Sequence, residues 1–305
     1  MKKAVLLLTF NRLNYLIHVF EAVRQAKPPR LYIASDGPRP SKEGEKEKVE
    51  EVRNYLLSHV DWDCEVKTRF LETNSGGCAK GVSGAINWFF ENEEDGIILE
   101  DDILPNSSFF SYCEKMLEHY ENDKDVYSVV GYLPVADAKG DKTYGFATVS
   151  HCWGWATWKD KWKIFQQDIS DFDEKIIDNI STNPHIKKYW NYIFEKQKNK
   201  EIDSWYFSWN FCIAKNKGLT IFPKKNLISN IGETGVHYAS KDSRLNTPTY
   251  ELEITKFHNE KDTQLMNDIL WKHFYNLQNP FRNNFNPNKR IFYFLGIPFL
   301  SIEEK

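Results

Sequence analysis

Three consecutive acidic residues, Glu100, Asp101 and Asp102, stand directly after the apolar run GIIL, which is typical of a buried strand. Neighbouring carboxylates repel one another and are costly to desolvate together, so this position suggests that a hard divalent cation neutralises them. Because side chains alternate along a strand, we expect Glu100 and Asp102 to point one way and Asp101 the other. One carboxylate would then be left for a metal and another for a hydroxyl such as that of a ribose. The alternative is a solvated loop after a strand.

Polar or flexible residues also stand at three other places where an apolar run gives way to a loop. They are Thr9, Phe10, Asn11 and Arg12 in the first loop, Asp36 before Gly37-Pro38, and Asn74-Ser75-Gly76-Gly77 followed by Lys80. A loop that opens a helix can meet a nucleotide base and its phosphates, glycines permit close approach of the backbone, and Lys80 adds a positive charge useful near a diphosphate. Asp36 could accept a hydrogen bond from a ribose hydroxyl or a base, or it could be a turn residue only.

Neither of two common phosphate-binding motifs occurs in the sequence. The spacing G-x-x-x-x-G-K-[ST] of a P-loop is absent, and so is G-x-G-x-x-G. The second absence disfavours an enzyme that transfers hydride with a dinucleotide.

The elements that must position these residues follow from the apolar periodicity. We expect strands at 4–9, 31–35, 64–71 and 96–100, with a helix after each of the first three. The charged run at 41–60 is interpreted as a helix with a solvated face. Such strand–helix units predict an α/β fold with a mostly parallel sheet flanked by helices. Since ligands of such sheets bind beyond the carboxyl ends of the strands, we expect the chemistry in the loops after strands one, two and four.

The second half of the chain has a different pattern of apolar and aromatic residues. We expect helices at about 107–121, 185–200 and 205–217, and strands at DVYSVVGY and LTIFP. The aromatic stretch HCWGWATWKDKW lies between them, and eight of the ten tryptophans follow residue 150. An irregular region rich in Asn, Thr and Pro ends the chain.

The composition restricts the class of protein. Lys and Arg total 40 against 43 Asp and Glu, a net charge of -3, which gives no reason to expect binding to nucleic acid. AVLLL is far shorter than the roughly 20 apolar residues of a membrane span, and no signal peptide is recognisable. Five scattered cysteines without a C-x-x-C fit reduced thiols. We therefore expect a cytoplasmic protein.

The segment KRIFYFLGIPFL at 289–300 is apolar and preceded by basic residues. It is interpreted as an arm that docks on the body or on a second subunit. Peripheral contact with the inner face of a membrane is the alternative. The oligomeric state is left open.

The order of the motifs resembles a known family. TFNR after the first strand, ASDG after the second, NSGGCAKG before a helix and LEDDILP after a buried strand look like a GT-A nucleotide-diphospho-sugar glycosyltransferase. WGWATW, IDSWYFSWNF and GLTIFPKKNLISNIG extend the resemblance to a bacterial branch similar to family 2 and N-acetylglucosaminyltransferase I-type enzymes. The resemblance covers about positions 4–240. It implies a nucleotide-sugar-binding half at 1–133, an acceptor-side half of the same domain at 134–240 and a C-terminal extension at 241–305.

The same resemblance implies roles for individual residues. Asp102 would bind Mn²⁺ or Mg²⁺, with His237 as a further metal ligand. Asp203, near the start of a late helix, would be the base for the acceptor. Similar sequences carry a second acidic residue where this chain has Tyr206, which leaves an altered or inactive protein as an alternative. The remaining donor-binding positions would be Thr9, Phe10, Asn11, Arg12, Asp36, Lys80, Glu100 and Asp101.

Trp155 is the residue expected to contact the acceptor. Flat indole faces suit the C–H surfaces of sugars, and Trp155 lies between the small residues Gly154 and Ala156. A place in the core is the alternative for each tryptophan of this stretch.

The resemblance, together with these residues, implies a metal-dependent, inverting glycosyltransferase for a hexosyl or N-acetylhexosaminyl group in polysaccharide biosynthesis. The donor would be a nucleotide-diphospho-sugar, a UDP-sugar first, and the acceptor a saccharide, glycolipid or glycoprotein. A non-catalytic glycan-binding protein is one alternative. A sugar nucleotidyltransferase is another, although TFNRLN lacks the glycines that hold a triphosphate.

Overall fold

The structure, a computed structural model, describes residues 1–138, 140–232, 247–274, 289–294 and 297–303. The strands in chain order are β1 (Val5–Thr9), β2 (Arg30–Ser35), β3 (Glu65–Phe70), β4 (Asp95–Glu100), β5 (Ile103–Pro105), β6 (Val126–Val130), β7 (Tyr144–Ala147), β8 (Trp155–Trp158), β9 (Leu219–Pro223), β10 (Ile228–Asn230), β11 (Lys289–Phe294) and β12 (Ile297–Glu303). The helices are α1 (Leu13–Ala26), α2 (Glu45–His59), α3 (Cys78–Asn92), α4 (Ser107–His119), α5 (Lys159–Trp162), α6 (Pro184–Lys198), α7 (Trp205–Lys215) and α8 (Gln264–Ile269), with a 3₁₀ helix at Glu174–Asn179 and a π-helical turn at Leu270–Phe274.

Within these ranges, eight strands form one sheet in the order β3-β2-β1-β4-β8-β6-β9-β7. The first four are parallel neighbours, β8 runs antiparallel to β4 and to β6, and β7 runs antiparallel to β9. Six strands therefore point one way, because β6 and β9 are parallel to each other and share the direction of β4. The predicted α/β fold with a mostly parallel sheet flanked by helices is confirmed.

The first helix shows how the sequence builds this arrangement. Every residue of β1 is buried, as expected for a strand covered on both faces. In α1 the buried residues recur at helical spacing, at Leu16, Val19, Phe20 and Val23, so one stripe packs on the sheet. Lys27 ends the helix in the left-handed conformation, and Pro28 and Pro29 follow at once. The chain then turns back into β2, parallel to β1.

The aromatic stretch after residue 150 contributes a central strand that the sequence analysis did not predict. All four residues of β8 are buried between β4 and β6. The side chains of β8 alternate between the two faces of the sheet, and Trp155 belongs to a core cluster of tryptophans. Trp155 stacks on Trp205 with ring centroids 5.3 Å apart, and Trp162 and Trp209 complete this cluster. The tryptophan-rich composition therefore serves packing first.

The segment 247–274 packs along the body of the protein. Glu251 accepts hydrogen bonds from Ser107 and Ser108 at the start of α4, and His258 stacks on Tyr144 of β7. β11 and β12 pair with each other as an antiparallel hairpin. In the described ranges no helix is both long and apolar enough to cross a bilayer.

Candidate active site

The carboxyl ends of β1, β2 and β4 meet at one edge of the sheet. The three strands are parallel neighbours, so Thr9 lies opposite Ser35, and Leu8 lies opposite Glu100. The residues that follow each strand therefore come together by topology. The sequence prediction of which loops would meet is correct at this level.

Arg12 binds the acidic residues that follow β4. Its guanidinium donates two hydrogen bonds to the Asp101 carboxylate, one of them from Nε to Oδ2 at 3.3 Å. Its Nη1 also pairs with Asp102 Oδ2 at 2.8 Å. Although burial opposes it, the charges of Asp101 and Asp102 raise the pKa of Arg12. One arginine thus bridges two of three carboxylates.

The expected alternation of these carboxylates is wrong beyond Glu100. β4 ends at that residue and the chain turns at Asp101 and Asp102, so strand periodicity no longer applies. Both aspartates face Arg12 and are almost fully buried. Arg12 accordingly compensates their charges, and within the described residues Glu100 forms no ion pair with a basic side chain.

The pKa of Glu100 is raised by burial, and in the described part of the chain no basic group pairs with it as Arg12 pairs with Asp101 and Asp102. Burial, followed by the charges of Asp102 and Asp101, raises the pKa of Glu100 to about 8. Burial also raises the pKa of Asp101 to about 6, because Arg12 offsets it only in part. Three carboxylates against one guanidinium leave an excess of negative charge that a cation would relieve.

The donor set fits a divalent cation that also has other ligands. No group of three His, Cys, Asp or Glu side chains converges on one point among the residues that the structure describes. Mg²⁺ commonly takes only one or two carboxylates and completes its shell with water and substrate phosphates. Gly232 approaches Asp102 closely, since a Cβ there would lie 2.4 Å from Oδ2. His237, the other predicted metal ligand, lies outside the described residues.

The first loop is held by a charged cluster from α2. Asn11 donates to Glu45 Oε1 at 3.0 Å, and Glu45 also accepts from the backbone and guanidinium of Arg39. The Arg39 guanidinium lies 5.5 Å from the Phe10 ring centroid. Thr9 is buried and donates to the carbonyl of Ala34 at 3.3 Å. The four predicted loop residues thus lie at the edge of the site, each engaged within the protein.

Sequence reasoning missed Glu45 and Arg39. The run that contains Glu45 alternates in charge and reads as a solvated helix face, yet Glu45 is only 5% exposed. In α2, Glu45 stands four residues before the buried Val49, so helical spacing places it on the buried stripe and separates it from the exposed Glu47 and Glu50. The spacing does not identify its partners, because the pairing of a buried carboxylate with another loop is a tertiary contact.

Asp36 is occupied by its own surroundings. Its Oδ1 accepts from the amides of Gly37 and Ser75, at 2.8 and 2.9 Å. Its Oδ2 accepts from Ser75 Oγ at 2.7 Å and from Asn74 Nδ2 at 3.2 Å. The carboxylate therefore organises residues 74–77, here called the glycine loop, and the predicted contact with a ribose would have to compete with these four bonds.

Asp203 caps α3 from a distant part of the chain. Its Oδ2 accepts from the Cys78 amide at 2.9 Å and its Oδ1 from the Ala79 amide at 3.3 Å, so two N–H groups that the helix leaves unpaired are satisfied. Lys80 is exposed in the same first turn. The structure thus brings Asp203, predicted as a base, to the predicted donor loop.

The structure contradicts the prediction that Trp155 contacts the acceptor. It is 1% exposed inside the tryptophan cluster, so it has no surface for an acceptor. Tyr132, His151 and Trp153 lie near the carboxyl end of β6 and are buried as well, with Trp153 4.6 Å from Tyr132 between ring centroids. Tyr206 stands where similar sequences carry a second acidic residue, and its hydroxyl donates to the carbonyl of Ser150 at 3.1 Å.

Two surface cavities lie away from this edge. One of about 320 Å³ lies between the 3₁₀ helix and α6, and one of about 220 Å³ lies between α1 and α2. Neither is lined by any predicted site residue. Both cavities are therefore separate from the candidate site.

No family model and no curated protein matches this chain. Solved structures match it at low identity. The Staphylococcus aureus TarS fragment 1–349 is 13% identical, with a TM-score of 0.42 over 75% of this chain and 60% of that one. The galactosyltransferase LgtC, in complex with donor and acceptor sugar analogues, is 12% identical with a TM-score of 0.38 and 72% coverage of each chain. UDP-glucose pyrophosphorylase complexed with UDP-glucose is 10% identical, with a TM-score of 0.39 over 76% of this chain and 94% of that one.

The chain spans about 60% of the length of that TarS fragment. These are similarities of fold, and they do not distinguish the transferases from the pyrophosphorylase. The geometry of the site itself supports the proposals that follow.

Proposed function

We propose that this protein is a glycosyltransferase of the GT-A type, which moves a sugar from a nucleotide-diphospho-sugar to a hydroxyl of a saccharide or glycoconjugate. The observation that carries the proposal is the excess of carboxylates at the sheet edge. Glu100, Asp101 and Asp102 share one arginine, and they lie at the same edge as the glycine loop and the start of α3. A site built for a diphosphate and a divalent cation explains both features.

Asp102, with Glu100 beside it, would hold Mn²⁺ or Mg²⁺. The bound ion would neutralise charge on the two phosphates of the leaving nucleotide. Asp101 keeps Arg12 at the edge, and Arg12 and Lys80 supply fixed positive charge near the leaving group. A UDP-sugar is the donor we would test first.

Asp203 is the proposed base. Two amides of α3 fix the position of its carboxylate, and each oxygen retains a lone pair that can take the proton of an acceptor hydroxyl. One base and direct attack on the anomeric carbon would invert its configuration.

A non-catalytic glycan-binding protein is the second candidate. The observation that favours it is the use of Asp203 as a helix cap together with Tyr206 at the other expected acidic position. In that case the site would bind a nucleotide sugar or a glycan without turnover.

The test is a panel of sugar nucleotides incubated with the purified protein, Mn²⁺ and saccharide acceptors, with release of nucleoside diphosphate followed over time. We expect release with one donor, at least a hundredfold loss in Asp102→Ala, and loss of turnover with retained donor binding in Asp203→Asn. Asp63→Asn, in an exposed loop before β3 at the opposite edge of the sheet, is the matched control. Donor binding without release would support the second candidate, and no binding of any nucleotide would reject the proposed glycosyltransferase.

A further inference from the structure

We infer that Asp36 is a positioning residue, whose carboxylate holds the glycine loop and the start of α3 in place instead of contacting the ribose. The inference rests on the proposed function for its consequence in donor binding. Its structural part stands on the hydrogen bonds of Asp36 alone.

The carboxylate of Asp36 has no remaining capacity for a ligand. An ionised carboxylate offers about four lone-pair positions. Gly37 and Ser75 amides occupy two on Oδ1, and Ser75 Oγ and Asn74 Nδ2 occupy two on Oδ2. A ribose hydroxyl could bind only by displacing one of these donors.

The backbone around Asp36 is packed too closely for the glycine loop to move aside. A Cβ on Gly37 would lie 2.3 Å from the carbonyl carbon of Thr73, so the two main chains are in direct contact. The amide of Asn74 donates to the carbonyl of Pro38 at 3.2 Å. Arg53 of α2 donates to the carbonyls of Ser35, Asp36 and Leu71, which fixes the ends of β2 and β3 together.

A second carboxylate holds the other end of the same segment. Asp203 accepts from the Cys78 and Ala79 amides, three and four residues after Ser75. The segment 74–79 therefore lies between two aspartates, one from each half of the chain. Lys80 follows immediately, so its position depends on both.

The two possible roles of Asp36 predict different responses to substitution. A ribose contact would make the loss of affinity in Asp36→Asn depend on the sugar hydroxyls. A positioning role would weaken every nucleoside diphosphate equally and would loosen residues 74–79 even without a nucleotide. Asp36→Asn retains the acceptor at Oδ1 and removes the one at Oδ2, whereas Asp36→Ala removes all four bonds.

The first measurement is hydrogen–deuterium exchange of the full-length protein without ligand. We expect amides within 74–79 to exchange about tenfold faster in Asp36→Asn and faster still in Asp36→Ala, while α1 is unchanged. Ser75→Ala removes the hydroxyl donor to Oδ2 and should give a smaller change in the same segment. Asp63→Asn is the matched control. Unchanged exchange in a folded Asp36→Asn protein overturns the inference. This variant keeps the two hydrogen bonds to Oδ1, so it serves as the test if Asp36→Ala does not fold.

The second measurement is calorimetric titration with UDP and with 2′,3′-dideoxyuridine diphosphate, each in the presence of Mn²⁺. We expect Asp36→Asn to weaken both by the same factor, about tenfold. A loss for UDP alone would show a ribose contact and overturn the inference. If the unaltered protein binds neither nucleotide, the proposed function fails, while the exchange result still decides whether Asp36 positions the segment.

Discussion

At the scale of single residues, Glu100 differs from its two acidic neighbours. Arg12 binds Asp101 and Asp102, and both remain almost fully buried. Glu100 receives the repulsion of both aspartates as well as the cost of burial, which together raise its pKa to about 8. A cluster optimised only for stability would not retain such a group, so its cost is consistent with a functional role.

The raised pKa of Glu100 makes stability depend on pH. Because its folded-state pKa is about 8 and its ordinary value is 4.5, its contribution to stability is complete below about pH 4.5 and is lost as the pH rises through 8. The side chain introduced by Glu100→Gln does not titrate. The free energy of unfolding of this variant should therefore increase relative to that of the unaltered protein as the pH rises. We expect a difference on the order of a few kcal/mol at about pH 9.

Urea unfolding in the presence of EDTA at several pH values measures this difference. Glu47→Gln, an exposed residue of α2, is the control and should show no such trend. A difference between Glu100→Gln and the unaltered protein that stays constant across pH would contradict the raised pKa.

At the scale of elements, the start of α3 depends on Asp203, which lies just before α7 in the sequence. A Cβ on Gly77 would lie 2.4 Å from Asp203 Oδ2, so only glycine allows the capping carboxylate to approach. The helix would otherwise begin without a side-chain cap, since none is supplied locally. The cap thus joins the predicted donor loop to the acceptor-side half.

Gly77→Ala should therefore displace Asp203 and destabilise the protein. Gly44→Ala is the matched control, because Gly44 also has a positive φ, +72°, but open space within 4 Å of its Cβ position. We expect the control to lose about 1 kcal/mol from backbone strain and Gly77→Ala to lose at least about 1 kcal/mol more, from the cap and from a φ of 151° and ψ of 158° that essentially only glycine adopts. Equal free energies of unfolding for the two variants would show that the collision with Asp203 has no effect.

The elements of the first hundred residues were largely predictable because β1, β2 and β4 are short apolar runs and the helices α1 to α3 have apolar residues at helical spacing. Topology then brought the loops after β1, β2 and β4 together, as expected. The strand β8 was not predictable in the same way, since Trp153 and Trp155 fit alternating spacing whereas Trp155 and Trp158 fit helical spacing. The partners of Asp36 and Asp203 lie 39 and 125 residues away, and nothing in local sequence encodes such pairs.

At the scale of the whole molecule, segments distant in sequence are tied together by buried polar side chains. Asn226 is fully buried and accepts from the amide of Leu133 at 2.9 Å. Its amide group donates to the carbonyl of Ile228 at 2.7 Å and to that of Thr247 at 3.0 Å. The end of β6, the start of β10 and the segment 247–274 therefore meet at one side chain.

Asn226→Ala should leave several buried backbone groups without a partner. We expect a loss of roughly 2–4 kcal/mol in the free energy of unfolding, measured by urea titration. Asn122→Ala, at an exposed position, is the control and should change stability by less than about 0.5 kcal/mol. A loss for Asn226→Ala no greater than that of the control would show that this side chain does not join the three segments.

The charge of the molecule fits a local site for phosphate. With 40 basic and 43 acidic residues, the chain offers no general attraction for anions. The proposed site instead concentrates negative charge at one sheet edge, where a divalent cation would reverse it. Binding of a nucleoside diphosphate should therefore require the metal.

A crystal structure with UDP and Mn²⁺, using anomalous diffraction at the manganese edge, tests this claim most directly. The account predicts one strong anomalous peak within coordinating distance of the Asp102 carboxylate and of both phosphates, with the diphosphate beside Lys80. A nucleotide bound at this edge without manganese, or manganese bound elsewhere with the edge empty, would contradict it.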